Sequence, residues 1–330
     1  MTRLFLFSSV VLAGVLLAQD SAPALQQIDR LSRWLRSPRE SIREEAVAEL
    51  NTVAIDRALP LLVVALSDSS TVVRAAAATS LSRAQDPRVV AALRPLLKDP
   101  DNHVRAAAVW GLCHTGGKAV LPDVLPLCLD DASGLVRFRA VWGLAIIGDK
   151  SAMPVAVAAL GDFVPAVRER SALLALAALA DDSLGAQLAG QAGNEFTPTR
   201  RIVMYLFSRY GELQQAVPVL QAGLRDGDPL VRAEAALALG RRRVSRLVGE
   251  VIPLLGDSDE HVRGAALHAL GFMGDSVRRS DLLPMLQDPN AFVRAVAAEA
   301  LQRLGEKNVK PPPGFRAEEL FSYPIHNGKR

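Results

Sequence analysis

Residues 99–113 read DPDNHVRAAAVWGLC, and residues 131–145 read DASGLVRFRAVWGLA. Each segment has an aspartate, an arginine six residues on, then small residues leading to a leucine seven beyond the arginine. The theme recurs along the chain at Arg43, Arg74, Arg105, Arg137, Arg168, Arg200, Arg232, Arg263 and Arg294. Successive spacings are 31, 31, 32, 31, 32, 32, 31 and 31 residues. The partner aspartates are Asp68, Asp99, Asp131, Asp162, Asp226, Asp257 and Asp288, with Ser37 and Asn194 standing in the first and sixth units. A fixed period of this length marks a repeat architecture, in which each unit buries its apolar face against its neighbours.

Each unit reads as two antiparallel helices. The first is an apolar segment such as Val120 to Leu129 or Val277 to Leu286, carrying a proline at Pro60, Pro126, Pro154, Pro218 or Pro253 that starts or bends it. The second follows turn and capping residues such as Ser70-Thr71, Thr197-Pro198 and Asp228-Pro229, and Gly240, Gly271 and Gly305 are expected at helix ends. Three residues after the arginine stand Ala46, Ala77, Ala108, Ala140, Ala235, Ala266 and Ala297; six after it stand Ser80, Gly111, Gly143, Ala238, Ala269 and Ala300. Two rows of small residues on one stripe let successive second helices approach closely.

This register resembles HEAT repeats, in particular the short variety of the phycobilisome-lyase-like proteins, from about Leu25 to Gly305. The resemblance implies an all-α fold, a right-handed, curved α-solenoid of about nine helix pairs. The Asp–Arg pairs are expected to be structural, because nine equivalent arginines define no single site for chemistry. An aspartate at the inter-helix turn can accept backbone amides and an arginine of its own or the adjacent repeat, tying units together.

Composition agrees with this reading. Of 330 residues, 50% are apolar but only 5% aromatic, so the core is built from Ala, Val and Leu. Lys plus Arg at 38 against Asp plus Glu at 35 gives a net charge of +3, which argues against nucleic acid as the partner. Arg3 followed by the apolar run Leu4 to Ala18 reads as a signal peptide within residues 1–24, cleaved after Ala18 or Ala24. The remainder is expected to be secreted or periplasmic, monomeric and not inserted in a membrane. Residues 306–330 leave the period: Pro311-Pro312-Pro313 should be extended, and Phe315, Leu320, Phe321 and Tyr323 are expected to fold back over repeat nine as a cap.

No motif for chemistry stands out from the repeat. Gly111 to Ala119, GLCHTGGKA, lacks the Lys-Ser/Thr ending of a phosphate loop. His103, His114, His261, His268 and His326 form no metal-ligand motif, and the His-Glu pairs of the iron-dependent HEAT-repeat hydroxylases are missing. Cys113 and Cys128 are expected as packed thiols at opposite ends of a helix pair. Arg241-Arg242-Arg243 is either a solvated loop or a cradle for an anion. No cofactor is implied.

The repeat stops being uniform five residues after each arginine, at Ala48, Thr79, Trp110, Trp142, Leu173, Tyr205, Leu237, His268 and Glu299. This row should face the concave side, where Trp110, Phe138, Trp142, Leu173, Arg201, Tyr205 and Arg209 are the candidates for holding a protein or peptide partner. The competing placement has these aromatics lying flat between successive second helices. The function expected is a non-catalytic scaffold; the alternative is a lyase-like enzyme or enzyme subunit, which the resemblance to phycobilisome lyases implies.

Overall fold

The computed structural model describes residues 22–321, apart from 85, 182, 275 and 276. Residues 1–21, which hold the apolar run of the expected signal segment, and Tyr323 lie outside the described residues. Every regular element among those described is helical, and the fold is an α-solenoid. The chain divides into two compact units, Met1–Ile147 and Gly148–Arg330.

The first unit contains α1 (Ala22–Trp34), α2 (Glu40–Leu50), α3 (Ile55–Ala65), α4 (Thr71–Ser82), α5 (Val89–Leu93), α6 (Asn102–Thr115), α7 (Leu121–Asp130) and α8 (Gly134–Ile147). The even-numbered members are the second helices of their repeats, and each packs on the next. Caps form where the sequence places short polar side chains: Ser70 accepts the amides of Val72 and Val73, and Asp101 those of His103 and Val104.

The second unit contains α9 (Met153–Ala158), α10 (Ala172–Leu179), α11 (Leu184–Ala189), α12 (Thr197–Phe207), α13 (Leu213–Gly223), α14 (Pro229–Arg241), α15 (Val248–Val251), α16 (Glu260–Met273), α17 (Arg279–Leu282), α18 (Ala291–Arg303) and α19 (Ala317–Leu320). Several first helices change character at their proline. The α15 turn passes into a 3-10 segment at Ile252–Gly256, and α17 into another at Leu283–Gln287, with Pro253 and Pro284 at the junctions. A proline there withholds the amide that would continue the i→i−4 ladder.

Gly240 and Gly271 lie inside α14 and α16 and are not helix ends. A Cβ on Gly240 would stand 2.5 Å from the Cα of Ala269, and one on Gly271 3.1 Å from the Cα of Ala300. The glycines are required by the close approach of successive second helices, position eight of one against position six of the next. Gly305, at φ +87°, does end α18 in the left-handed region.

Both cysteines are free and buried. Burial pushes the Cys113 thiol up to about 12, and burial together with the nearby Cys113 raises Cys128 as well. No helix among the described residues is long and apolar enough to cross a membrane.

Candidate functional site

Within each unit, the Asp–Arg series joins successive repeats at six junctions. Arg43, Arg74 and Arg105 in the first unit, and Arg200, Arg232 and Arg263 in the second, donate through Nε and Nη2 to both carboxylate oxygens of Asp68, Asp99, Asp131, Asp226, Asp257 and Asp288. The Nε to Oδ2 distances are 2.7–2.8 Å. Nη1 of the same arginine donates to the carbonyl of the residue six before it, as Arg105 does to Asp99 at 2.9 Å. Each aspartate also accepts the amide two residues on, as Asp68 does from Ser70 at 2.8 Å. One carboxylate therefore closes its own turn and anchors the preceding repeat. Hydrogen bonds from Arg43, Arg200 and Arg263 hold the carboxyls of Asp68, Asp226 and Asp288 below the usual range. Arg137 and Arg294 begin in the same way, donating to the carbonyls of Asp131 and Asp288 at 2.8 Å.

Repeat six departs where its sequence does. Asn194 keeps the turn by accepting the Phe196 amide at 2.9 Å, but carries no charge. Arg168 donates to the Asp162 carbonyl at 2.8 Å and to Glu169 at 2.9 Å, while its buried Nε has no hydrogen-bond partner.

The first unit brings three of the sequence-predicted site residues together. Trp110 on α6 meets Trp142 on α8 edge to face, ring centroids 5.4 Å apart, and Phe138 meets Trp142 at the same distance. The Arg139 guanidinium lies over Trp110 at 4.6 Å. The His114 ring packs against the same indole at 4.3 Å, its Nδ1 2.9 Å from the Trp110 carbonyl. All three aromatic side chains are half-buried. Beside them runs a groove of about 730 Å³ along α4 and α6, lined by Thr79, Arg83, His103, Trp110, His114 and Arg139. Four alanines, Ala75, Ala76, Ala106 and Ala107, complete much of the lining, so little bulk stands beside Trp110 and the arginines. The lining includes cationic side chains and no carboxylate. The geometry suits an extended or helical segment with apolar and acidic side chains.

The second unit treats the same row differently: of the two placements read from the sequence, the buried one holds for Leu173 and Tyr205. Leu173 is 4% exposed and Tyr205 is 6% exposed. The cause at Leu173 is a π-helical turn over Ala166–Ser171, which inserts a residue into the register and rotates the helix beyond it. Leu174, 39% exposed, takes the outward place instead. At Tyr205 the guanidinium of Arg209 covers the ring at 5.3 Å. Arg201 points to the buried carboxylate of Glu234, at 3.9 Å.

The arginine run serves the chain itself. Arg242 donates to the carbonyls of Phe207, Tyr210 and Gly211 at 2.8–2.9 Å, closing the end of α12, and Arg241 pairs with Glu234 at 3.1 Å. Asp259, Glu260 and His261 sit close enough to share a cation, but Asp259 caps α16 by accepting the His261 and Val262 amides.

The segment after repeat nine crosses the second helices α14, α16 and α18. This differs from a cover on the end of the stack, and sequence periodicity has no means of placing it. The Ala317 amide donates to Glu299 at 2.9 Å, Glu318 pairs with Arg303 at 3.2 Å, and the Phe321 carbonyl accepts from Arg241 at 3.0 Å. The Phe321 ring lies 5.2 Å from His268 and 5.7 Å from Phe292. Beneath this segment His268 is buried, and that burial lowers its pKa to about 4, leaving it neutral.

The chain belongs to the HEAT-repeat family: the family profile, described as HEAT repeats, matches residues 28–113, 90–177 and 214–302. Among solved structures it is similar to Kap121p, with a TM-score of 0.65 at 15% identity over 86% of this chain. Kap121p bound to Pho4p and Kap121p bound to Nup53p each give a TM-score of 0.64 at 16% identity, again over 86% of this chain. The chain spans 38% of the length of Kap121p, and at this identity the likeness concerns the fold alone. No curated protein matches the sequence.

Proposed function

We propose that this protein is a non-catalytic interaction scaffold that holds a protein or peptide partner on the concave, second-helix face of its first unit. One observation carries the reading: in a core built of small residues, Trp110, Phe138 and Trp142 are gathered edge to face and left half-buried beside a groove lined in part by alanines. Apolar rings buried for stability alone would be covered by neighbouring side chains. Half-exposed tryptophans with an arginine stacked on one of them are what interface centres favour. The solved Kap121p complexes with Pho4p and Nup53p give a precedent for partner binding on a solenoid of this fold. The period of 31 to 32 residues supports placing the chain with the short, phycobilisome-lyase-like variety of the repeat.

Arg3 and the apolar run to Ala18 support action outside the cytoplasm, as a secreted or periplasmic monomer. N-terminal sequencing of protein from the native host is then expected to start at Gln19 or Leu25; an intact Met1 in a cytosolic fraction would reject export. For binding, the test is affinity purification from the native host with the wild type and with the double variant Trp110→Ala, Trp142→Ala. The reading requires a defined protein set recovered by the wild type and lost from the variant while its circular dichroism stays unchanged. Equal recovery by both chains would exclude this face.

A further inference from the structure

We infer that the second helices of repeats seven to nine form a second peptide-binding site, occupied here by the chain's own segment Ala317–Phe321, and that it accepts a foreign segment bearing an acidic side chain three residues before an aromatic one. The inference is independent of the aromatic groove in the first unit. The contacts are those of a receptor with a ligand. Glu299 takes a backbone amide, Arg303 takes the Glu318 carboxylate, Arg241 takes the Phe321 carbonyl, and His268 with Phe292 flanks the ring. Backbone and side-chain recognition of this kind reads a short segment by its order of groups.

The receiving side is built for it. Arg303 is held over the Phe272 ring at 4.0 Å and by Glu299 at 2.8 Å, so its guanidinium is positioned independently of the tail. Gly264 stands where other repeats carry Ala75, Ala106, Ala233 and Ala295. A Cβ there would lie 2.5 Å from Phe292 and 3.4 Å from Phe321, so the ring slot exists because this repeat lacks one.

The tail is lightly held. Ala317 is fully buried, but Leu320 is 59% exposed and the Glu318 side chain 62% exposed. The linker 306–316 keeps the segment at a high effective concentration, so its occupancy comes from tethering as much as from contacts. A foreign segment with the same groups competes for the same seat.

The test uses the full chain with Glu318→Ala and Phe321→Ala, which empties the site, and a fluorescein-labelled peptide of residues 314–323 as probe. Fluorescence anisotropy is expected to show binding to the opened chain and at least tenfold weaker binding to the wild type. Adding Arg303→Gln and Gly264→Val to the opened chain is expected to weaken the peptide at least tenfold. Trp110→Ala with Trp142→Ala is expected to leave its binding unchanged, which separates this site from the groove of the first unit. No binding to an opened chain that retains its circular dichroism, or equal binding by opened and wild-type chains, would overturn the inference. If the opened chain does not fold, hydrogen exchange on the wild type decides: millimolar unlabelled peptide should accelerate exchange at residues 317–321, and unchanged protection overturns the proposal. Wild-type dimers that free peptide dissolves would assign the site to a second copy and reject a foreign partner.

Discussion

Arg105 donates through Nε and Nη2 to Asp131 in the next repeat and through Nη1 to the carbonyls of Asp99 and Pro100 in its own. Both side chains are largely buried, 15% and 6% exposed, so the pair is screened little by solvent. Truncation would leave a buried carboxylate without its arginine and with only the Ser133 amide, which costs about 1.5–3 kcal/mol. Arg105→Ala is therefore expected to lower Tm by roughly 3–10 °C in calorimetry, without changing partner affinity per folded molecule; an unchanged Tm would show the ladder to be ornamental. Asn194 offers the opposite experiment. Asn194→Asp supplies the missing charge to Arg168 and its unpartnered Nε, and should raise Tm by an amount matching about 1 kcal/mol. The ladder also sets the acid limb of stability. Asp68, Asp226 and Asp288 have folded pKa values below the unfolded value of about 3.9, so their contribution is complete above pH ~4 and lost as pH falls through the folded values. Tm measured from pH 7 to pH 2.5 should hold down to about pH 4 and then fall; a fall beginning near pH 6 would point to other groups.

At the scale of the helix, the contrast between glycines tests how closely second helices pack. Gly240→Ala places a Cβ 2.5 Å from the Ala269 backbone and is expected to destabilise by about 1–3 kcal/mol, whereas Gly249→Ala, with nothing within 4 Å, should be neutral or stabilise by up to ~1 kcal/mol. Denaturant melts of the two variants check this; equal effects would contradict the close packing. The same elements show what the chain's residues make legible. Period, helix pairs, capping at Ser70 and Asp228 and the direction of the small rows follow from local chemistry, so they can be read one repeat at a time. Gly240 misleads because a glycine near a helix end and a glycine in a helix contact look alike until the neighbour is in place. The π-turn at Ala166–Ser171 carries no periodic signature, yet one inserted residue moves Leu173 into the core and Leu174 out. Tyr205 misleads for a different reason: its cover is Arg209, a side chain that sequence spacing reads as solvent-facing. Trp110, Phe138 and Trp142 are legible because they interrupt a uniform row, and interruption is visible in sequence.

Across the whole molecule, the two units put the same helical face to different uses: an open aromatic groove in the first, and in the second a row occupied by Ala317–Phe321. The open groove is the place proposed for a partner. Site-specific photo-crosslinking in the native host tests this most directly. A benzoylphenylalanine is placed in turn at His103 and His114, exposed on the groove rim, and at Leu129, exposed on the first helix of repeat four. A partner seated in the groove should give the same crosslinked product from His103 and His114, none from Leu129, and loss of both products when Trp110→Ala and Trp142→Ala are added. Crosslinks of equal yield from Leu129, or products that survive the double substitution, would contradict it.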